Sequence, residues 1–141
     1  MNPRQAVGLA LLACSTASGA AADDARYDEI RSLIRANRHL GPHMTMAIDV
    51  GTIKAVRGRI GAADIPVLVR MMGDKDYGVA SAASGLLVTL GKPAVPALEA
   101  AQRGRDRGVA GQARDALNQL DACYDPAQRG VIAADVCPAD R

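Results

Sequence analysis

The chain has 141 residues, a formal net charge of +2, and no Trp or Phe beside three tyrosines, Tyr27, Tyr77 and Tyr124. That length suits one domain with a real core and is too short for two. A nearly balanced charge gives no clustered surplus of Lys and Arg to drive binding to a polyanion, and a core of Ala, Val, Leu, Ile and Met suits closely approaching helices better than a β-sandwich.

The first stretch, "MNPRQAVGLALLACSTASGAAADDARYDE", starts with cationic Arg4 and continues with an uncharged apolar run over residues 6–13. Small residues follow, ending in Ala20-Ala21-Ala22 before Asp23-Asp24. This is the layout of a bacterial export signal. Residues 1–22 are therefore predicted to be removed, leaving a periplasmic protein. The apolar run is too short for a permanent membrane anchor. An Ala-rich amphipathic first helix is the competing reading. Within the same segment "LLAC" resembles a lipobox, in which Cys14 would become the lipidated first residue of an outer-membrane lipoprotein. The early cysteine and the bulky Leu12 rank that route behind cleavage after Ala22. Only the lipidated form would touch a membrane.

Next comes "YDEIRSLIRANRHL", where Ile30, Leu33 and Ile34 form the apolar stripe of an amphipathic helix. "DVGTIKAVRGRIG" then places Ile53, Val56 and Ile60 in the phase of a second helix. Residues 23–60 are thus expected to form a degenerate helix pair, an N-terminal cap on the helices that start at Gly61. Arg31, Arg35 and Arg38 lie on one side of the first helix and, with acidic residues interleaved, read as a solvated face. His39 and His43 are four apart, the spacing of two metal ligands on one helix face, but Gly41-Pro42 between them breaks that helix. A solvated turn is expected there, with no metal site.

From Gly61 onward the chain matches itself at an offset of thirty residues. Ile65-Pro66-x-Leu68 falls on Val95-Pro96-x-Leu98, Asp76 on Asp106, and Gly78-Val79-Ala80 on Gly108-Val109-Ala110. Ala83 meets Ala113, Leu87 meets Leu117, Leu90 meets Leu120, and Gly61 meets Gly91. A fixed period of this size signals stacked supersecondary units. Each unit reads as two helices. The first carries Pro66 or Pro96 in its opening turn, where a missing N–H costs little, and Asp64 stands where it can cap. The second comes after a turn in which Asp76 or Asp106 is placed to cap; Asp74 and Asp76 on either side of Lys75 read as turn chemistry.

These residues resemble the HEAT-like repeat, in the short form also found in phycobilisome-lyase-type proteins. The carriers are the Val-Pro-x-Leu start, the Asp-containing turn, the Val followed by Ala and Leu at helical spacing, and the closing Leu90-Gly91. Residues 61–120 make two such repeats. The resemblance implies an all-α fold, a short right-handed α–α solenoid of about three helix pairs, and a non-catalytic module that binds another protein. An accessory or lyase-like, ligand-binding role is the alternative, by likeness to bilin lyases and to HEAT-like DNA glycosylases. One departure from the family is that Ala80 and Ala110 stand where an Arg usually follows the Val, so the Asp-to-Arg ladder between repeats is expected to be missing.

The remainder, residues 121–141, contains Pro126, Gly130 and Pro138 and is expected to be a clasped tail folded over the last repeat, whose end face would otherwise meet water. Either processing route removes Cys14 from the free thiols and leaves the pair Cys123 and Cys137, for which one disulfide is expected in an oxidising compartment. No nucleophile, acid/base pair or phosphate-binding loop emerges, and no cofactor is implied. Arg103, Arg105 and Arg107 crowd one turn, but with only three tyrosines for stacking on bases, nucleic acid is not the expected partner.

Overall fold

The computed structural model describes residues 15–38, 49–128 and 134–140, and no strand is present among them. Six α-helices carry the fold: α1 (Ser15–Ala36), α2 (Val50–Val56), α3 (Ile65–Met71), α4 (Tyr77–Leu90), α5 (Val95–Gln102) and α6 (Arg107–Tyr124).

Local chemistry sets the helix starts. Asp49, Asp76 and Asp106 stand one residue before α2, α4 and α6. Their carboxylates accept from the N–H groups of Thr52 at 3.0 Å, Gly78 at 3.0 Å, and Gly108 and Val109 at 2.9 and 3.0 Å. These donors have no acceptor within the helix. Pro66 and Pro96 lie in the first turns of α3 and α5, each behind one 3-10 turn, Ala62–Asp64 or Lys92–Ala94. Both helix starts therefore recur thirty residues apart, at Ile65 and Val95 and at Tyr77 and Arg107. Asp64 does not cap α3. Its backbone is already helical, and its carboxylate turns back to accept the Gly61 N–H at 2.9 Å.

The helices contact one another in a regular order. Each of α1, α3 and α5 packs against the next, and so does each of α2, α4 and α6, while α1 touches α2, α3 touches α4 and α5 touches α6. Helix α4 is the most enclosed: it also meets α1 and the 3-10 turn Ala134–Val136. Residues thirty apart bury the same side in Leu68 and Leu98, Ala83 and Ala113, and Leu86 and Ala116, all fully buried. Val79 and Leu87 are fully buried, whereas Val109 and Leu117 are half-buried, with no further helix pair packed on α5 and α6 among the described residues.

At the N-terminal end α1 is continuous from Ser15 and runs through Ala20-Ala21-Ala22. Residues 19–25 are all exposed, and from residue 19 onward the first fully buried side chain is Ile30.

The C-terminal segment departs from expectation in two ways. Cys123 belongs to the last turn of α6 and not to the tail, and residues 134–140 cross to α2 and α4 and do not cover the outer face of the last pair. That face has less need of cover, since Glu99, Gln102, Arg114 and Asp121 of α5 and α6 are exposed and polar. The space that does need filling lies beside α2, a helix of only 7 residues. There Val136 is 1% exposed, Arg57 Nη1 donates to the Asp135 carbonyl at 2.8 Å, and Lys54 stands 3.7 Å from the Asp135 carboxylate. A disulfide joins Cys123 to Cys137 with a Cα–Cα distance of 5.5 Å. Its loop of fifteen residues is worth about 3 kcal/mol in the chain-entropy account.

Gly91 ends α4 at φ 74°, ψ −142°, and a Cβ there would lie 3.0 Å from Tyr124 Oη and 3.1 Å from Pro138. Its repeat partner Gly61 is extended, at φ −133°, with nothing within 4 Å of a Cβ. The two glycines match in register but not in need. Gly91→Ala is expected to cost about 1–3 kcal/mol and Gly61→Ala less than about 0.5 kcal/mol, as read from urea unfolding midpoints. Replacing both Cys123 and Cys137 by Ser is expected to lower stability by about 2–4 kcal/mol. A double variant as stable as the reduced wild type, and both less stable than the oxidised protein, is the corresponding control.

Candidate functional site

Two surfaces concentrate polar chemistry. The first is the seam between α1 and the turns before α3 and α4. Arg26 forks onto Asp64, Nε to Oδ1 at 2.8 Å and Nη2 to Oδ2 at 3.0 Å, and its Nη2 also donates to the Arg59 carbonyl at 2.8 Å. Five residues on, Arg31 forks onto Asp74 at 2.8 and 3.2 Å, and the Tyr27 hydroxyl donates to the same carboxylate at 2.6 Å. Asp74 also accepts the Asp76 N–H at 2.8 Å. One turn later Asp76, already capping α4, receives Arg38 at 2.6 Å and Arg35 at 3.3 Å. Arg70 completes the edge, with Nη1 2.8 Å from Asp24 and its guanidinium 4.6 Å from the Tyr27 ring centre.

Arg31, Arg35 and Arg38 are therefore not a merely solvated face. They form an arginine-to-aspartate ladder, which α1 supplies from outside residues 61–120. No cation arrives from Ala80 or Ala110, and Asp106 spends its carboxylate on backbone N–H groups alone.

Burial ranks the rungs. The Asp74 side chain is 5% exposed and that of Arg31 30%. Such hydrogen-bonded charges count for more than exposed pairs like Arg70 with Asp24, which are worth about 0–1 kcal/mol. Arg31 holds the Asp74 carboxyl well below the usual carboxylate range against the opposing effect of burial, with Tyr27 assisting. Asp64 is lowered chiefly by Arg26. Burial works against ionisation of Asp76, and the hydrogen bond from Arg38 leads the effects that outweigh it. Tyr27 is pushed up to about 12, first by burial and then by Asp74, so its hydroxyl remains a donor at neutral pH.

The second surface is a groove of about 370 Å³ between α4 and α6. Helix α4 contributes Tyr77, Ser81, Ser84 and Gly85, which share one face by their spacing. Helix α6 contributes Gln112, Asp115, Asn118 and Gln119. Tyr77, at the head of the groove, is 49% exposed and is the one large apolar side chain left open among the described residues. The Ser84 hydroxyl donates to the Gln112 carbonyl at 3.3 Å. Gln119 Oε1 is buried and has no hydrogen-bond partner. No other buried side-chain polar atom among the described residues is left so. A stranded acceptor of this kind costs about 1–3 kcal/mol. The arrangement is suited to hydrogen bonding and stacking.

Of the residues singled out by sequence, Cys123 and Cys137 are brought together, Arg103 and Arg105 lie exposed on the turn before α6, and Arg107 is exposed at the first position of α6. Cys14, His39 and His43 lie outside the described residues. Among the described residues no group of three His, Cys, Asp or Glu is placed to hold a metal, and no helix is long and apolar enough to cross a membrane. The groove was missed by sequence reading. Its signal was the polar interruption of the α4 apolar pattern at Ser81 and Ser84, opposite amide side chains at helical spacing on α6.

Compared with protein-family models, with curated proteins and with solved structures, the chain has no significant match in any of the three.

In the unfolded chain the aspartates titrate near 3.9. Their folded values are lower, so between the two the unfolded state binds more protons and stability falls as pH drops. The contribution is complete above about pH 5 and is lost as pH falls through the folded values. Asp74→Asn is expected to cost on the order of 2 kcal/mol at pH 7 and to flatten the decline between pH 4 and pH 2. Urea unfolding at a series of pH values measures both; an unchanged acid slope in the variant would remove Asp74 from this role.

Proposed function

We propose that the protein is an exported, non-catalytic helical-repeat module that binds another protein through the surface of α4 and α6. In this reading α1–α2, α3–α4 and α5–α6 are three stacked helix pairs of a short right-handed α–α solenoid resembling HEAT-like repeats. The support is the recurrence of capping aspartate, opening proline and buried Leu and Ala at a thirty-residue period. Repeat stacks present continuous helix-lined surfaces, and such surfaces serve binding. The observation that carries the functional reading is the groove itself, with an open aromatic ring at its head and a buried acceptor lacking a donor.

Export is supported by three features. Residues 19–25 are exposed, so the bond after Ala22 lies in a solvent-facing stretch. The new start at Asp23-Asp24 would put two carboxylates at the positive end of the α1 dipole, with Asp24 still in reach of Arg70. The Cys123–Cys137 bond belongs in an oxidising compartment.

Expression in a bacterial host followed by intact-mass measurement of the envelope fraction tests location. A mass beginning at Asp23 with one disulfide is expected, a diacylglycerol adduct on Cys14 selects the lipoprotein route, and a mass beginning at Met1 with three free thiols rejects export. Crosslinking in the same extract tests the role: one stoichiometric protein partner is expected. A small molecule retained in native mass spectrometry with no protein partner overturns the binding-module reading in favour of a ligand-binding accessory.

A further inference from the structure

The chain carries a segment of its own on the layer formed by α2, α4 and α6. Residues 134–140 lie across the C-terminal ends of these helices, with Val136 buried beside α2 and α4, the Asp135 main-chain carbonyl held by Arg57, and Pro138 against Gly91. Side-chain groups of the layer thus already bind a main-chain atom of a non-helical segment, and an aliphatic side chain anchors it. The tail meets α4 at its C-terminal end, where Pro138 lies against Gly91, and the groove opens from its first residue, Tyr77, past Ser81, Ser84 and Gly85. Helix α4 thus has one part covered by the tail and another part left open.

We infer that the open part receives an extended segment of a partner protein, with a main-chain N–H donated to Gln119 Oε1, a Lys or Arg side chain paired with Asp115, and an apolar or planar group laid on Tyr77. This rests on the reading of the protein as a binding module and names the chemistry of what is bound. Three observations carry it. Gln119 lines the groove and its Oε1 lacks a donor, so turning that side chain toward the groove lets an incoming N–H supply one. Asp115 is exposed, has no ion-pair partner among the described residues, and is the one charged side chain of the groove, so complementarity calls for a cation. From Tyr77 to Gly85 the floor runs about 12 Å at 1.5 Å per helical residue, the length of three or four residues of extended chain. Ser81, Ser84 and Gly85 keep that floor low enough for a backbone to approach, where longer side chains would fill it.

The test is selection of a phage-displayed random dodecapeptide library on the folded, oxidised protein. Affinities are then measured by fluorescence polarisation on wild type, Tyr77→Ala, Asp115→Lys and Gln119→Leu. Enriched peptides sharing a Lys or Arg at one position are expected, with binding at least tenfold weaker to each variant and a preference for Asp or Glu at that position when the library is reselected on Asp115→Lys. Gln119→Leu is expected to unfold at the same or a higher temperature than wild type while losing binding, which a purely structural glutamine would not do. Backbone amide shifts on peptide addition should centre on Ser81, Ser84 and Gln119. Peptides that bind all four proteins equally, with shifts elsewhere, overturn the groove assignment and leave the binding-module reading standing. No enriched peptide overturns the inference too, and the crosslinking result then decides separately whether the protein binds a partner at all.

Discussion

The structure depends on the enclosure of α4. This helix meets α1, α2, α3, α6 and the tail, and nine of its 14 residues are buried. A helix surrounded on so many sides can carry no charged side chain, and "YGVASAASGLLVTL" has none. It must also let its neighbours come close, which explains Ala80, Ala82, Ala83, Ser84 and Gly85 where a longer side chain would hold them apart. Its own helix propensity is poor, with two glycines, two valines, two serines and a threonine among fourteen residues. Packing, not propensity, makes it a helix, with Asp76 fixing where it begins.

What lies around α4 is arranged by two different kinds of force. Ile30 and Ile34 bring α1 to the core, and full burial of each is worth about 1.5–3 kcal/mol. Apolar burial has no direction, however, and would tolerate α1 slipping along its axis. The ladder from Arg26 through Arg31 to Arg35 and Arg38 has direction: a shift by one helical turn would put Ala22 or Ile30 in place of Arg26 and leave the Asp64 carboxylate without a cation. The isoleucines hold the helix there and the arginines choose its register. At the opposite side the disulfide and Val136 do the equivalent work for a tail too short to fold by itself.

The groove between α4 and α6 arises from the same constraint. The small residues that let helices approach α4 also leave a trough between α4 and α6, lined by Ser, Gln and Asn in place of Ala and Leu. Stability alone would favour an apolar, filled seam at this place. A buried acceptor left without a donor marks the spot where packing was not optimised for the isolated chain.

The helices α3 to α6, their starts and the pairing of Cys123 with Cys137 were legible in the chain itself, because each is written by neighbours in sequence: a proline in a first turn, an aspartate before a helix, Leu and Ala at helical spacing, two cysteines left after Cys14. Contacts between distant segments were not. Arg31, Arg35 and Arg38 read as solvated because their aspartates lie thirty-eight to forty-three residues away, and no local pattern announces such a pairing. Gly61 and Gly91 look alike in register, yet only packing against Tyr124 and Pro138 separates the one that tolerates a side chain from the one that does not. The route of residues 134–140 was decided by where empty space remained beside α2, a property of the assembled helices that no single segment encodes. Local hydrogen-bonding and periodicity determine elements; which side of each element is left open to solvent is decided only once all of them have packed.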